Sequence, residues 1–222
     1  MGKDKLKRFE EIKGFSNVLE APAMETYEKK GKWHQDIFKN NNPIVLELGC
    51  GKGEYSVGLA RMYPNKNFVG VDIKGNRIYI GAKESLNEGL ENVVFLRTRI
   101  DFIDNFFDTD EIDEIWLTFS DPQPKKPRKR LSSKPFINRY QKFLKKEGKI
   151  HLKTDSDLLF EFTEEEIQNE KYKCHSLTWD LYGNEYFAKL SEEEKKTFEI
   201  KTHYEKLFSS KGSVIKYCCF SV

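Results

Sequence analysis

Two short stretches of this chain carry residue types that do chemistry. The first is Glu47-Leu-Gly49-Cys-Gly51-Lys-Gly53, a carboxylate followed by three alternating glycines. The second is Phe119-Ser120-Asp121-Pro122-Gln123-Pro124-Lys125-Lys126, a carboxylate set between an apolar run and a basic loop. Glycines at such a turn let backbone N–H groups approach a ligand closely and tolerate positive φ. The prolines fix φ and remove two donors, and that stiffness suits a carboxylate whose position matters.

The kind of ligand follows from what the first stretch lacks. Glu54 stands where a dinucleotide site needs its last Gly or Ala, and its carboxylate would repel a pyrophosphate. No Gly-Lys-Ser/Thr follows, so the turn is not an ATP phosphate loop. Glu47 suits a ligand with a positive group, and Asp72, ending the next apolar run, is placed to accept hydrogen bonds from a ribose diol. Glu47, Gly49, Gly51, Gly53 and Asp72 together describe a pocket for S-adenosylmethionine, which carries an ammonium, a sulfonium and a ribose but no phosphate. The plainer alternative makes Glu47 an exposed strand-end residue and Asp72 a helix cap. Asp121, likewise, is either a site carboxylate or a turn initiator before proline.

These residues need elements to position them, and the chain supplies an alternation. Apolar runs at 43–48, 67–72, 92–96, 112–119, 149–153, 172–179 and 214–220 give seven strand candidates. Helical spacing lies between the early ones, at 54–62, 75–89 and 133–145, and a further helix is expected around 203–210. Strand–helix–strand repetition implies right-handed crossovers: an α/β fold, a seven-stranded, mostly parallel sheet with helices on both faces. Residues 1–42 read as a highly charged helical arm anchored by Trp33, Ile37 and Phe38, and 43–222 as the main domain.

Composition narrows the class. The 222 residues include 17 Phe, 10 Tyr and 3 Trp, too many aromatics for a disordered chain. No apolar run approaches the ~18 residues of a membrane span, so a cytoplasmic protein with no membrane partner is expected. The four cysteines and four histidines show no zinc or redox spacing, so no metal is expected and the thiols read as reduced. Net charge is only +2, yet Lys125–Lys134 holds six cations and no acid, which leaves the rest of the chain at net −4. One basic loop on an otherwise acidic protein is the footprint of a phosphate backbone, although charge runs are more often solvated faces.

Four pieces in order, ELGCGKG, SDPQPKKPRKR, Lys153-Thr154-Asp155 and Thr202-His203-Tyr204-Glu205-Lys206-Leu207-Phe208, make the chain resemble the bacterial tRNA (guanine-N7)-methyltransferase family. The resemblance implies a class I methyltransferase, Rossmann-like fold, S-adenosylmethionine as cofactor and tRNA as partner, with the guanosine at position 46 of the variable loop as acceptor. By motif it places Glu47, Gly49, Gly51, Asp72 and Asp121 against the cofactor, with Asp121 also as the catalytic residue. Lys125, Asp155, Thr202, His203, Tyr204 and Glu205 would contact substrate, and Lys126, Arg128, Lys129 and Arg130 would take tRNA phosphates. Gln123 stands where the family usually has tryptophan, and the basic stretch is slightly shorter than in relatives. Arg99 occupies the place of an acidic residue that reads the cofactor adenine, which leaves that contact to the backbone near Ile100 or to Asp101. A monomer and a homodimer both remain open. The rival readings are another RNA base methyltransferase and a non-catalytic tRNA-binding protein that keeps a cofactor pocket. An adenine-amino enzyme is the nearest such rival, but it would carry an aromatic residue where this chain has Pro124.

Overall fold

The computed structural model describes residues 3–210 and 212–222, so the first two residues of the arm lie outside it. In chain order the elements are α1 (Lys3–Ile12), β1 (Val18–Glu20), β2 (Ile44–Leu48), α2 (Glu54–Met62), β3 (Asn67–Asp72), α3 (Gly75–Asn87), β4 (Val93–Arg97) and β5 (Ile112–Thr118). They continue with α4 (Lys134–Tyr140), β6 (Leu144–Thr154), α5 (Asp157–Asn169), β7 (Lys173–Thr178), α6 (Asn184–Phe187), α7 (Glu192–Glu199), α8 (His203–Ser209) and β8 (Lys216–Ser221). The strands form one sheet in the order β1-β4-β3-β2-β5-β6-β8-β7. Only β8 runs against the others, pairing antiparallel with both β6 and β7.

All five residues of β2 are buried, as a central strand covered on both faces requires. Successive side chains point to opposite faces. Leu46, Val69 and Leu96 accordingly enter one core with Phe136 and Tyr140 of α4 and Phe160 of α5. Val45, Phe68 and Phe95 enter the other with Tyr55 of α2, Ile78 of α3 and Phe198 of α7. The neighbours Cys218 and Cys219 fall on the two sides of the same division.

Besides helices α5, α6 and α7, which no spacing above announces, the structure differs from the sequence expectation in three places. The sheet has eight strands because β1, in the arm, pairs in parallel with β4 from Val18↔Phe95 to Glu20↔Arg97. Three residues are too few to show an alternation. The arm is also less helical than its charge pattern implies. Between β1 and β2 its only helical turn is a π-type one over Trp33–Phe38, which seats Trp33 in the core with its Nε1 donating to Phe106 O at 2.8 Å. Finally, the helix expected over 133–145 stops at Tyr140, because Phe143 joins the sheet region: its carbonyl accepts from the N–H groups of Glu111 and Ile112, both at 3.0 Å.

Candidate active site

The carboxyl ends of β2, β3, β4, β5 and β6 open onto one cavity of about 850 Å³. Ligands bind at this edge of an open parallel sheet, where the strand order reverses. Here β2 has β3 on one side and β5 on the other.

The floor is Glu47. Its side chain is buried, and one oxygen accepts from Ser56 N at 2.9 Å and Ser56 Oγ at 2.5 Å. The other accepts from Thr118 Oγ1 at 2.5 Å. Burial pushes the carboxyl up to about 7, although the bonds from Ser56 and Thr118 pull it down. After Glu47 the chain turns through Gly49, Gly51 and Gly53 at φ of 85°, 57° and 74°. The Gly49 and Cys50 amides donate to Val71 O at 2.8 and 3.0 Å, and Gly51 N donates to Asp72 Oδ2 at 3.0 Å. Gly53 has a packing reason as well: a Cβ there would lie 2.5 Å from the Phe95 ring. Asp72 also accepts from Lys74 N at 2.8 Å, so each of its oxygens holds a backbone amide and keeps a lone pair for a ligand.

On the other side of the floor, β5 runs into the Asp121 loop. Phe119 and Gln123 hold φ of 50° and 44°, conformations that cost a residue with a Cβ on the order of 1–3 kcal/mol and that cluster at functional sites. Asp121 is exposed and borders the cavity, with Oδ1 accepting from Gln123 N at 2.9 Å. Lys126 and Lys129 also border the cavity, while Lys125 and Arg128 are exposed away from it.

A third wall comes from the C-terminal half. Asp155, just past β6, lines the cavity, and burial raises its carboxyl above the usual range. Thr202, His203 and Tyr204 line it from the start of α8. Thr202 caps that helix through Glu205 N at 3.1 Å, and His203 N donates to Glu54 Oε2 at 2.7 Å. Arg77 of α3 lies 5.8 Å from the Tyr204 ring centroid, so α8 is tied down to both α2 and α3.

Thirteen of the seventeen sequence-predicted residues therefore border one cavity, Arg99 and Ile100 among them, whereas Lys125, Arg128, Arg130 and Glu205 do not. Two of these four need correcting. Arg130, expected on tRNA phosphates, is only 5% exposed; its Nε donates to Pro122 O at 2.8 Å and its guanidinium stacks 4.4 Å from the Phe162 centroid. In this structure it is packed against the loop rather than presented to solvent. Glu205, expected on substrate, is fully buried in an ion pair with Lys153. Lys129 is exposed but pairs with Asp101 at 2.6 Å, and the latter carboxylate also receives Arg99 at 3.6 Å. Sequence reasoning passed over Lys52, Lys74 and Arg77, which border the cavity on the α2–α3 side. The signal was present: Lys52 within the glycine turn and Lys74 and Arg77 after Asp72 have no carboxylate four residues away to pair them. Glu54, read only as an obstacle to pyrophosphate, turns out to hold α8.

With this geometry in hand, comparisons with known proteins agree. A family profile described as "Putative methyltransferase" matches residues 41–218. A tRNA (guanine-N(7)-)-methyltransferase of Bacteroides thetaiotaomicron is 49% identical, over 99% of this chain and 86% of its own. One of Christiangramia forsetii is 45% identical, over 99% of this chain and 98% of its own. Among solved structures, the 16S rRNA methyltransferase KamB superposes with a TM-score of 0.63 at 15% identity, covering 90% of this chain and 95% of its own. At that identity the superposition speaks for the fold alone.

Proposed function

This chain belongs to the tRNA (guanine-N7)-methyltransferase family, and from that premise we propose that it transfers a methyl group from S-adenosylmethionine to N7 of a guanosine in tRNA, at position 46 of the variable loop. The observation that carries the reading is Glu47. It is a buried carboxylate whose partners are hydroxyls and an amide, with no lysine or arginine paired to it among the described residues. A buried anion without a cation is costly, and a cationic ligand relieves that cost. Asp72, with lone pairs left on both oxygens, and the glycine turn beside it suit a ribose and a close backbone approach.

Glu47, Gly49, Gly51 and Asp72 would hold the donor, with Arg99 and Ile100 bordering its far end. When bound, S-adenosylmethionine supplies an electrophilic methyl group on a sulfonium. Guanine N7 carries a lone pair and no proton, so no residue here has to act as a base to create the nucleophile. The protein's work is to align and to exclude water, and such ordering contributes about 7–11 kcal/mol in favourable cases. The purine becomes cationic as it is alkylated. A carboxylate fixed by its loop, Asp121, stabilises that charge without reorganising. Asp155 faces the same cavity and can accept from guanine N1–H and the exocyclic amine, an edge on which adenine offers the opposite pattern. Lys126 at the cavity's border, with Lys125 and Arg128 exposed on the loop beyond it, would take backbone phosphates.

The test is direct: incubate the purified protein with methyl-labelled S-adenosylmethionine and unmodified tRNA, then map the labelled base. Label at guanine N7 in the variable loop is expected. Label on an adenine, or donor binding with no transfer, would replace this reading by one of its rivals.

A further inference from the structure

Helix α8 carries three cavity-lining residues, yet it is poorly rooted. Of its seven residues only Glu205 is buried; Tyr204 and Leu207 are exposed. A seven-residue helix has little stability of its own. Beside the exposed ties of His203 N to Glu54 and of Arg77 to Tyr204, its one buried anchor is what Glu205 holds. That partner is Lys153 of β6, at 2.9 Å, with both side chains at 0% exposure. Lys153 Nζ also donates to Phe198 O at 3.0 Å and lies 5.5 and 5.6 Å from the ring centroids of Tyr55 and Tyr182. The Tyr182 hydroxyl sits between the Glu205 carboxylate and Phe198 O, so the charges are enclosed by aromatic faces and directed oxygens. Lys153 stands two residues before Asp155, and Glu205 directly follows Tyr204.

We propose that Lys153 and Glu205 are positioning residues, whose buried ion pair fixes the separation between the Asp155 wall and the Thr202–Tyr204 wall and so shapes the seat of the acceptor base. The inference rests on the proposed function, because it takes those two walls to hold the nucleic acid rather than the methyl donor. An apolar contact would hold α8 down but let it slide, whereas a charge pair with fixed hydrogen-bond directions sets its register. Glu205 thus serves the substrate without touching it.

The test compares melting temperature, tRNA KM and donor Kd across variants, assayed well below melting. Glu205→Gln leaves the Lys153 charge buried and unpaired; a lower melting temperature and a tRNA KM raised about 10-fold are expected. The double variant Lys153→Met/Glu205→Leu removes both charges and should recover the melting temperature, while its tRNA KM stays about 5-fold or more above wild type and its donor Kd is unchanged. Recovery of KM together with melting temperature would reduce the pair to a fold-stabilising contact and overturn the proposal. A change confined to donor Kd would overturn it too. Should the double variant fail to fold, Glu205→Asp keeps the charge but shortens the arm; a KM raised about 3-fold supports the proposal and a wild-type KM overturns it. Wild-type protein that methylates no tRNA would instead bring down the functional reading, and this inference with it.

Discussion

The two halves of the cavity are built differently. On the side proposed to hold the donor, the ties of the glycine turn are short in sequence: Ser56 reaches Glu47 nine residues away, and Gly51 reaches Asp72 twenty-one away, while Thr118 reaches Glu47 from 71 away on the neighbouring strand. The Ser56 tie follows from a strand, a tight turn and the helix after it, the Gly51 tie from that turn and the next strand. On the side proposed to hold the acceptor, local ties such as Arg130 to Pro122, eight residues away, are joined by long ones: Lys129 crosses 28 residues to Asp101, and His203 crosses 149 to Glu54. The donor side is thus part of the sheet edge, and a change there should disturb the fold or the small ligand. The acceptor side is a set of loops and one short helix held by individual polar contacts, and a change there should act on tRNA.

The sharpest way to break this contrast is at Gly53. With φ of 74° and a Cβ that would sit 2.5 Å from the Phe95 ring, Gly53→Ala is both strained and overpacked. A loss of about 2–5 kcal/mol of stability is expected by denaturant titration. Near-wild-type stability would mean that this turn is as adjustable as the loops opposite. The next largest effect belongs to Asp121→Ala, where kcat should fall about 100-fold or more while Kd for tRNA stays near wild type. Unchanged turnover would remove Asp121 from the chemistry.

The same contrast explains what could be read from the sequence. All seven expected strands are present, and Glu47, Gly49, Gly51, Asp72 and Asp121 border the cavity, because short apolar runs and glycine turns are local signals. Arg130 and Glu205 were misplaced for the opposite reason. Nothing near Arg130 in sequence announces that Phe162 and Pro122 O will enclose it. Nothing near Glu205 announces Lys153. A basic run treats its members alike, while packing chooses among them. Strand β1 escaped notice because it is defined by its partner β4 rather than by its own three residues.

On the donor side, Glu47 sharpens the contrast through pH. Its carboxyl is held at about 7 by burial, above the ordinary 4.5. A folded-state value above the unfolded one means that the stabilisation is complete below about 4.5 and is lost as pH rises to about 7. The empty protein should therefore lose stability across that window, by about 3 kcal/mol at most. A cationic donor needs the ionised form, so its affinity should run the other way, about 10-fold weaker at pH 6 than at pH 8, with proton release on binding near pH 7. Calorimetry in buffers of different ionisation enthalpy measures both. Glu47→Gln should flatten the profile, and a profile already flat in wild type would detach Glu47 from the donor's charge.

The smallest effect separates two arginines that stand two residues apart in the basic loop. Arg128 lies on an exposed turn with no carboxylate partner among the described residues, whereas Arg130 is enclosed by Phe162 and bonded to Pro122 O. An exposed cation that meets a phosphate releases counterions, so Arg128→Ala should lower the slope of log K against log salt by about 1 and leave the melting temperature alone. Arg130→Ala should leave the slope alone and cost about 1–2 kcal/mol of stability through the lost stacking and hydrogen bond. Because Pro122 follows Asp121 directly, loosening that bond should also lower kcat at saturating tRNA, an effect Arg128→Ala should lack. If both variants shift the salt slope equally, Arg130 leaves its pocket when tRNA binds, and the acceptor side is more mobile than its contacts in the free protein indicate.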